Sequence, residues 1–479
     1  PIARQGAIVT ISSMASSDEL PVDGGPRAGS ARELLQVAVP LILSSGSVSL
    51  MHVVDRIFLT WYSPDALAAA LPAGMMNWTL LALPVGLVTY VNTFVAQYDG
   101  AGNPRRVSQA LWQGIFIALA LGLVISAMAP VAGPLFRWIG HGGEVERMEI
   151  IYFTTLCFGA LPVILVCTLS CFYSGRGKTM VVLWVSLAGT LVNFGLDWCL
   201  IFGQGPFPRM GILGAALATI AGQLVSLFLY VILMVRPAVQ KQYGFLAQCR
   251  LDRELLLRFL RYGFPNGLRM LIDILAFTIF VMLVGRLGRD SLAATTLVFN
   301  INTLSFLPMI GLGTAIMTLV GRRVGEGRPE LAVRTTWLAF GISSVYMIGF
   351  AAAYLFLPDL LVAPYAAFSE PEEFQQIRDL VVVLLRFAAV FAFFDAMLIV
   401  FSSAVQGAGD TRFCLVFTFI TSLLVMVLPT WLVMHSFDGN VIGCWWACTA
   451  FIVVLGIGFL IRFRGGRWKS MSVIEPGLD

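Results

Sequence analysis

The stretch Gly100-Ala101-Gly102-Asn103-Pro104, followed by Trp112, recurs later as Gly325-Glu326-Gly327-Arg328-Pro329, followed by Trp337. The two glycines, the proline and the tryptophan each lie 225 positions after their counterparts. The same offset relates three further features, namely Pro40 and Pro265, Leu67-Ala68-Ala69 and Leu292-Ala293-Ala294, and Asn77 and Asn302. A second motif pair has an offset of 232, namely Gly175-x-Gly177-x-Thr179 and Gly407-x-Gly409-x-Thr411. The chain is therefore predicted to consist of two similar halves.

The composition of the chain argues against a soluble protein. Of its 479 residues, 58% are hydrophobic and only 12% are charged, whereas soluble domains carry about 25% charged residues. Its apolar side chains are suited to face lipid tails instead of water. Twelve apolar stretches of at least 18 residues are predicted to be membrane-spanning helices: 34–61, 68–97, 107–131, 150–173, 180–203, 211–235, 256–286, 292–320, 334–357, 379–405, 412–435 and 440–462.

The repeat offset covers six of these helices, so the two halves cross the membrane in the same direction. The predicted fold is an all-α integral membrane protein with two parallel six-helix bundles, related by a pseudo-twofold axis along the membrane normal. Such an arrangement is typical of alternating-access transporters. The predicted parts are a disordered tail 1–32, a first bundle 33–235, a basic linker 236–255, a second bundle 256–463 and a tail 464–479.

The distribution of basic residues predicts the orientation. If the amino terminus is cytoplasmic, 22 of the 31 Lys and Arg residues fall in inside segments and six in outside loops, as the positive-inside rule requires. Both termini are then cytoplasmic. The first thirty residues are polar and show no cleavable signal before Leu34, and Met14 is a plausible natural start. We expect a multi-pass protein of the bacterial cytoplasmic (inner) membrane.

Charged side chains within the predicted spans indicate where function resides, because burying one costs at least about 2.5 kcal/mol. Asp55 lies about twenty residues into its span and Asp197 about eighteen, so the two carboxyls are predicted at a similar depth. Asn193 precedes Asp197 by four residues and shares its helix face. These oxygens predict a pocket for H⁺ or Na⁺ in the first bundle, although a structural hydrogen bond between helices is the alternative for each carboxyl.

The second bundle has two candidate carboxyls, Asp273 and Asp395, both near the middle of their spans. Arg269 precedes Asp273 by four residues, a spacing that permits an ion pair. Such a pair would hold Asp273 charged and make it a poor proton carrier. A coupling or substrate role and a purely structural role therefore both remain open for Asp273.

Other residue patterns argue against an enzyme, a metal site, a bound cofactor or a nucleic-acid partner. Seven of the eight cysteines lie in apolar spans without a CxxC motif, and the three histidines are far apart, which predicts no metal site and no disulfide. The stretch Gly175-Arg176-Gly177-Lys178-Thr179 ends like a phosphate-binding loop, but Phe172 stands where that motif requires glycine. No nucleophile and base are paired within the spans.

The sequence resembles the multidrug and toxic compound extrusion (MATE) family over roughly residues 33 to 462. The residues that carry the resemblance are Val53-Val54-Asp55, Gln97-x-x-Gly100-Ala101-Gly102, Asn193 with Asp197, Met210-Gly211-x-x-Gly214-Ala215-Ala216-x-Ala218-Thr219, Gly263-Phe264-Pro265, Phe394-Asp395-Ala396 and Gln406-Gly407-x-Gly409-Asp410-Thr411. Each motif is weak alone, but their order on a six-plus-six repeat is fairly specific.

The resemblance implies an antiporter that exports small organic, often cationic compounds in exchange for H⁺ or Na⁺. It implies that Asp55, Asn193, Asp197 and Thr219 bind the coupling cation and that Pro40 bends the first helix. It also implies coupling or substrate roles for Asp273 and Asp395. The expected partners are the lipid bilayer, the substrate and the ion, and a monomer is expected.

Two alternatives remain. A flippase for lipid-linked intermediates or oligosaccharides, from the same superfamily, would need a cationic cleft, which Arg56, Arg269 and Arg386 would support. A receptor or scaffold is less compatible with duplicated bundles and intramembrane carboxyls. The sequence does not determine the substrate or the choice between H⁺ and Na⁺.

Overall fold

The computed structural model of the protein describes residues 27–366, 371–436 and 439–475. Residues 1–26 of the predicted amino-terminal tail and 476–479 of the predicted carboxy-terminal tail lie outside these ranges. The α-helices of the described residues are α1 (Ala31–Tyr62), α2 (Pro64–Thr89), α3 (Val91–Gly100), α4 (Pro104–Ala127), α5 (Ala132–Ile139), α6 (Gly143–Ser174), α7 (Thr179–Phe202), α8 (Ile212–Val235), α9 (Pro237–Tyr243), α10 (Arg253–Gly285), α11 (Arg289–Gly325), α12 (Pro329–Phe356), α13 (Pro358–Ala366), α14 (Pro371–Ala408), α15 (Thr411–Thr421), α16 (Leu428–Ser436) and α17 (Val441–Arg464).

The prediction of an all-α protein with twelve membrane-spanning helices is confirmed for the described residues. Three spans are composite: α2 continues into α3, α4 into α5, and α15 into α16 through a π-helical turn at Ser422–Val427. Several helices are longer than their predicted spans. For example, α6 begins at Gly143 rather than at residue 150, because hydropathy marks the apolar part of a helix and misses its polar first turns.

Helix starts are fixed by local capping. The Ser30 hydroxyl accepts a hydrogen bond from the Glu33 amide at 3.2 Å, and the Asn103 side chain accepts one from the Arg106 amide at 3.2 Å. Pro104 follows as the first residue of α4, where its missing N–H costs nothing. These caps satisfy amides that the first turn of a helix leaves without partners.

The two halves of the chain meet through equivalent helix pairs, α1 with α11 and α2 with α10. A Cβ atom on Gly86 would lie 2.8 Å from the Cα atom of Gly267, and one on Gly311 would lie 2.6 Å from the backbone nitrogen of Ile42. By the offset of the sequence repeat, Gly311 is the counterpart of Gly86, and Gly267 is the counterpart of Ile42. The same close contact therefore occurs twice with the halves exchanged, as the sequence repeat predicts.

We call the end of the molecule where α1 begins and α17 ends the terminal face. Two further glycines bring the halves together there. A Cβ atom on Gly100 would lie 2.2 Å from the Arg322 carbonyl oxygen, and one on Gly325 would lie 2.1 Å from the Gln97 carbonyl oxygen. This contact is again repeated with the halves exchanged, and only residues without a side chain allow the helices to approach this closely.

Candidate functional site

The four residues predicted to bind the coupling cation come together where α1, α7 and α8 meet. The hydroxyls of Ser44 on α1 and Ser186 on α7 lie 2.6 Å apart. Helices α7 and α8 approach closely at Gly189 and Gly222. As a result, the carboxyl of Asp55 on α1 is close enough to interact with three side chains, those of Asn193 and Asp197 on α7 and Thr219 on α8.

This carboxyl cluster is buried and poorly satisfied. Asn193 and Asp197 have no exposed surface, and Asp55 is 4% exposed. Within the described residues, both carboxyl oxygens of Asp197, both side-chain amide atoms of Asn193 and Oδ1 of Asp55 lack a hydrogen-bond partner. The ring nitrogen Nδ1 of His52 lies 4.0 Å from Oδ2 of Asp55. Buried carboxyls require a proton, a cation or hydrogen-bond donors, so the cluster offers oxygen atoms to H⁺ or a small cation.

Pro40 lies in the interior of α1, near the terminal face. A proline cannot donate a backbone hydrogen bond, so the carbonyl group four residues earlier, on Gln36, loses its helical partner. The hydroxyl of Thr179, the first residue of α7, donates to this carbonyl at 3.4 Å. The weak point in α1 is thus stabilised by the helix that carries Asn193 and Asp197.

The predicted ion pair of α10 is present. The Arg269 guanidinium donates to Asp273 at 2.9 Å and to the side-chain oxygen of Gln406 on α14 at 3.4 Å. The backbone carbonyl of Gln406 in turn accepts a hydrogen bond of 2.9 Å from the Tyr90 hydroxyl. This group of residues therefore links α10 and α14 of the second half to the α2–α3 junction of the first half.

Asp273 and Asp395 are not brought together. Asp273 has one-third of its side chain exposed and is paired with Arg269. Asp395, on α14, is 4% exposed and lies in the interior of the second half, in electrostatic range of Tyr354 and Cys448. The second half therefore lacks, among its described residues, a carboxyl cluster like that formed by Asp55 and Asp197.

Three residues near these sites are not among the predicted site residues. His52 precedes Asp55 by three residues, and this spacing on a helix could have predicted their contact. Tyr152 on α6 is within electrostatic range of both Asp55 and Asp197, and Gln406 holds Arg269. Tyr152 and Gln406 are far from their partners in the sequence, so no spacing rule identifies them.

The terminal face is closed by contacts between the halves. Arg323 on α11 forms ion pairs with Glu33 on α1 and with Glu326. The side-chain nitrogen of Gln97 donates to the Gly407 carbonyl at 3.0 Å. Deeper in the molecule, the Asn92 side chain donates to the Thr318 hydroxyl at 2.9 Å.

The segment after α17 completes this closure. Trp468 is fully buried, and the Val473 amide donates to the side-chain oxygen of Gln97 at 2.9 Å. Glu475 accepts a hydrogen bond of 2.7 Å from the Tyr98 hydroxyl and forms an ion pair with Arg258 on α10. The segment therefore joins the first half, through α3, to the second half, through α10.

The contacts of Glu475 with Tyr98 and Arg258, which we call the Glu475 clamp, stabilise the charged form of its carboxyl. Burial disfavours the charged form, but the Tyr98 hydroxyl and the guanidinium groups of Arg258 and Arg106 outweigh burial and lower the pKa of Glu475 below its ordinary value of 4.5. Glu475 is therefore ionised at neutral pH. No group of three or more His, Cys, Asp or Glu side chains suited to hold a metal ion occurs in the described part of the chain.

The fold agrees with the comparison to known proteins. The MatE family profile matches residues 40–199 and 265–432, one segment in each half. The chain belongs to the MatE family. It is therefore a multi-pass membrane transporter rather than an enzyme.

Similar proteins span nearly the whole of this MatE-family transporter. A probable multidrug resistance protein NorM of Thermotoga maritima is 25% identical over 448 residues, which cover 92% of this chain and 94% of the relative. A protein of the same description from Burkholderia pseudomallei is 29% identical, covering 91% and 92%. A solved structure of a multidrug resistance MATE family transporter of the MOP superfamily, in an outward-facing conformation, has a TM-score of 0.83 with 23% identity and covers 92% of this chain and 97% of its own. That structure supports the fold alone.

Proposed function

We propose that the protein is a cation-coupled antiporter that exports organic, often cationic compounds in exchange for H⁺ or Na⁺. It works as a monomer in the bacterial inner membrane, with the terminal face in the cytoplasm. The count of 22 inside against six outside Lys and Arg residues supports this orientation. The description of its relatives as probable multidrug resistance proteins supports the substrate class.

The observation that carries the proposal is the buried carboxyl cluster. Asp55 and Asp197 lie close together, and their unsatisfied oxygens have no Lys or Arg ion-pair partner among the described residues. Maintaining two ionised carboxyls in a buried site is costly, so the cluster gains stability when it takes up a proton or a small cation. Reversible uptake of this kind is what coupling to an ion gradient requires.

The proposed cycle links the cluster to the closure of the terminal face. With that face closed, the cluster takes up H⁺ or Na⁺ from the outside, which removes the repulsion between Asp55 and Asp197. Helix α1 then repacks against α7, with the weakened turn at Pro40 as the bending point. A cationic substrate loses favourable electrostatic interaction with the neutralised site and leaves. The return step opens the terminal face, which requires that contacts such as Arg323 with Glu33 separate.

The decisive experiment is transport in proteoliposomes. Purified protein is reconstituted with a fluorescent organic cation, and pH and Na⁺ gradients are imposed separately. We expect one of the two gradients to drive export in the wild type, and D55N and D197N to reduce export to the rate of protein-free liposomes. The matched control is D379N, because Asp379 is an exposed aspartate on α14. Gradient-driven export that persists in both D55N and D197N contradicts the assignment.

The flippase alternative receives less support from the structure. It requires a free basic side chain in the cleft to hold a pyrophosphate. Of the three arginines that would support it, Arg269 is instead paired with Asp273 and Gln406, so its charge is already compensated. We therefore favour the antiporter.

A further inference from the structure

A basic pocket at the terminal face plays no part in the transport cycle described above. It lies between the start of α4 and the segment before α10, and its volume is about 460 Å³. Its lining residues are Asn103, Arg105, Arg106, Gln109, Ala247, Gln248 and Arg250. Six of these seven side chains carry hydrogen-bond donors, and three carry a permanent positive charge.

The pocket is held in shape by the packing of residues 245–252 on α4. The Trp112 ring stacks on Phe245, with centroids 4.9 Å apart, and its nitrogen donates to the Phe245 carbonyl at 2.7 Å. The side-chain nitrogen of Gln113 donates to the Arg250 carbonyl at 3.0 Å, and its oxygen accepts from the Asp252 amide at 3.2 Å. The segment that carries Arg250 is therefore anchored at several points rather than loosely attached.

The charges in the pocket do not cancel. The two acidic residues nearby, Asp252 and Glu475, both interact with Arg106, at 3.1 Å and 3.9 Å. Arg105 and Arg250 are exposed, and neither forms an ion pair within the described residues. Two uncompensated guanidinium groups thus face one pocket, next to the amino-terminal end of the 24-residue helix α4, whose dipole also favours an anion.

Neutral donors add to these two charges. The side-chain oxygen of Gln248 accepts a hydrogen bond of 2.7 Å from Gln109, and the side-chain oxygen of Asn103 caps α4. The amide nitrogens of Gln248 and Asn103 donate to no group of the described residues, so they can donate to a ligand. Planar guanidinium groups together with amide donors are suited to the oxygen atoms of a phosphate group.

The surroundings of the pocket favour a lipid as the source of that phosphate. Leu246 and Leu251 flank the lining residues Ala247, Gln248 and Arg250 in the sequence, and they are 56% and 59% exposed. Exposed leucines beside basic residues, at the end of a membrane-spanning helix, are typical of a segment that lies at the membrane interface. A phospholipid bound there would place its phosphate by the arginines and its acyl chains along the leucines.

We propose that this pocket binds the phosphate group of an anionic phospholipid in the leaflet at the terminal face. The site is specific to the first half of the chain. By the offset of the sequence repeat, Glu330 is the counterpart of Arg105, and Leu331 is the counterpart of Arg106. Arg328 and Arg334 are the counterparts of Asn103 and Gln109, so the second half carries a different arrangement of charges at this position.

The test compares lipid binding by full-length wild type and the R105Q/R250Q variant in detergent, using native mass spectrometry to count bound phosphatidylglycerol and phosphatidylcholine. The matched control is R328Q/R412Q, which removes two exposed arginines from the terminal face of the second half. We expect the wild type and the control to bind phosphatidylglycerol in preference to phosphatidylcholine. We expect R105Q/R250Q to bind phosphatidylglycerol about 30-fold more weakly, since each basic residue contributes roughly fivefold at an anionic surface.

A second measurement distinguishes the sources of phosphate. Phosphatidylglycerol is expected to raise the melting temperature of the wild type, and inorganic phosphate or glycerol phosphate at equal concentration is expected not to. If R105Q/R250Q prefers phosphatidylglycerol as strongly as the wild type does, the proposal that this pocket binds the lipid phosphate is wrong. A full melting-temperature rise with inorganic phosphate alone overturns the assignment to a lipid. Because neither measurement depends on transport, failure here leaves the proposed antiport untouched.

Discussion

The hydroxyl of Thr179 donates to the backbone carbonyl of Gln36, the carbonyl that Pro40 deprives of its helical partner. A proline within a helix thus has its missing bond replaced by a side chain of another helix. Because Thr179 begins α7 and Pro40 lies in α1, this single contact couples the bend of α1 to the helix that carries Asp197.

The first prediction concerns this contact. T179V is expected to lower the free energy of unfolding by about 1 kcal/mol, because the partly buried Gln36 carbonyl loses its donor. In a P40A background, position 40 regains a backbone N–H for the Gln36 carbonyl, so T179V is expected to cost much less. Chemical unfolding of the four proteins of this double-mutant cycle measures the coupling. T314V is the control, because the exposed Thr314 hydroxyl bonds only to its own helix. If T179V lowers the free energy of unfolding equally in both backgrounds, the Thr179 hydroxyl does not replace the hydrogen bond that Pro40 removes.

The second prediction concerns the ion pair of α10. R269Q leaves Asp273 without a cationic partner and is expected to destabilise the protein by about 2 kcal/mol, less than a fully buried pair because both side chains are partly exposed. The double variant R269Q/D273N is expected to recover most of this loss. Thermal unfolding of the two variants and wild type checks the result. If the double variant is as unstable as R269Q, Arg269 acts mainly through Gln406.

The third prediction concerns the closure of the terminal face. A side chain at position 100 would collide with the Arg322 carbonyl, so G100A is expected to favour the state in which this face is open. Spin labels on the exposed Cys249 and on R328C, with the other cysteines replaced, report the separation of the two halves. A longer mean distance is expected in G100A. The control G341A changes a glycine that has open space around it, and its distances are expected to match the wild type.

The fourth prediction concerns the pH dependence of the stability that the Glu475 clamp contributes. Its pKa is lower in the folded protein than in the unfolded chain, so its contribution to stability is present above the unfolded value and lost as pH falls through the folded value. E475Q is expected to cost about 1 kcal/mol at neutral pH. The difference in melting temperature between wild type and E475Q should shrink as the pH falls below the ordinary value of 4.5, and it should vanish once the pH is below the lowered pKa of the folded protein. A difference that stays constant over this range would show that the charge of Glu475 is not what matters.

The sequence predicts features that depend on spacing along one helix or on depth in the membrane. Arg269 and Asp273 are four residues apart and form the expected pair. Counting residues along the spans predicts one depth for Asp55 and Asp197, and the structure brings them together. Depth does not specify direction around the helix axis, however. For this reason Asp273 and Asp395 share a predicted depth and still face different surroundings.

The contacts that close the terminal face could not be predicted. Glu475 meets Tyr98 across 377 residues of sequence, and Gln97 meets Gly407 across 310. A polar residue in a terminal segment usually remains in water, and no periodicity marks Glu475 as an exception. Trp468 likewise falls in the predicted tail, but it is fully buried. These long-range contacts depend on how the two halves pack against each other, and no local sequence pattern predicts that packing.

The paired contacts of Gly86 with Gly267 and of Gly311 with Ile42 have the geometry of an isologous dimer interface, in which one patch meets its own copy across a two-fold axis. Two separate copies of one half could form such an interface as a homodimer, but every substitution would then be present in both subunits. Fusion into one chain removes that constraint. The repeat counterpart of Asp55 is Phe280, which is fully buried. One half thus has an apolar core where the other carries an acidic site, while the surfaces through which the two halves contact each other are matched.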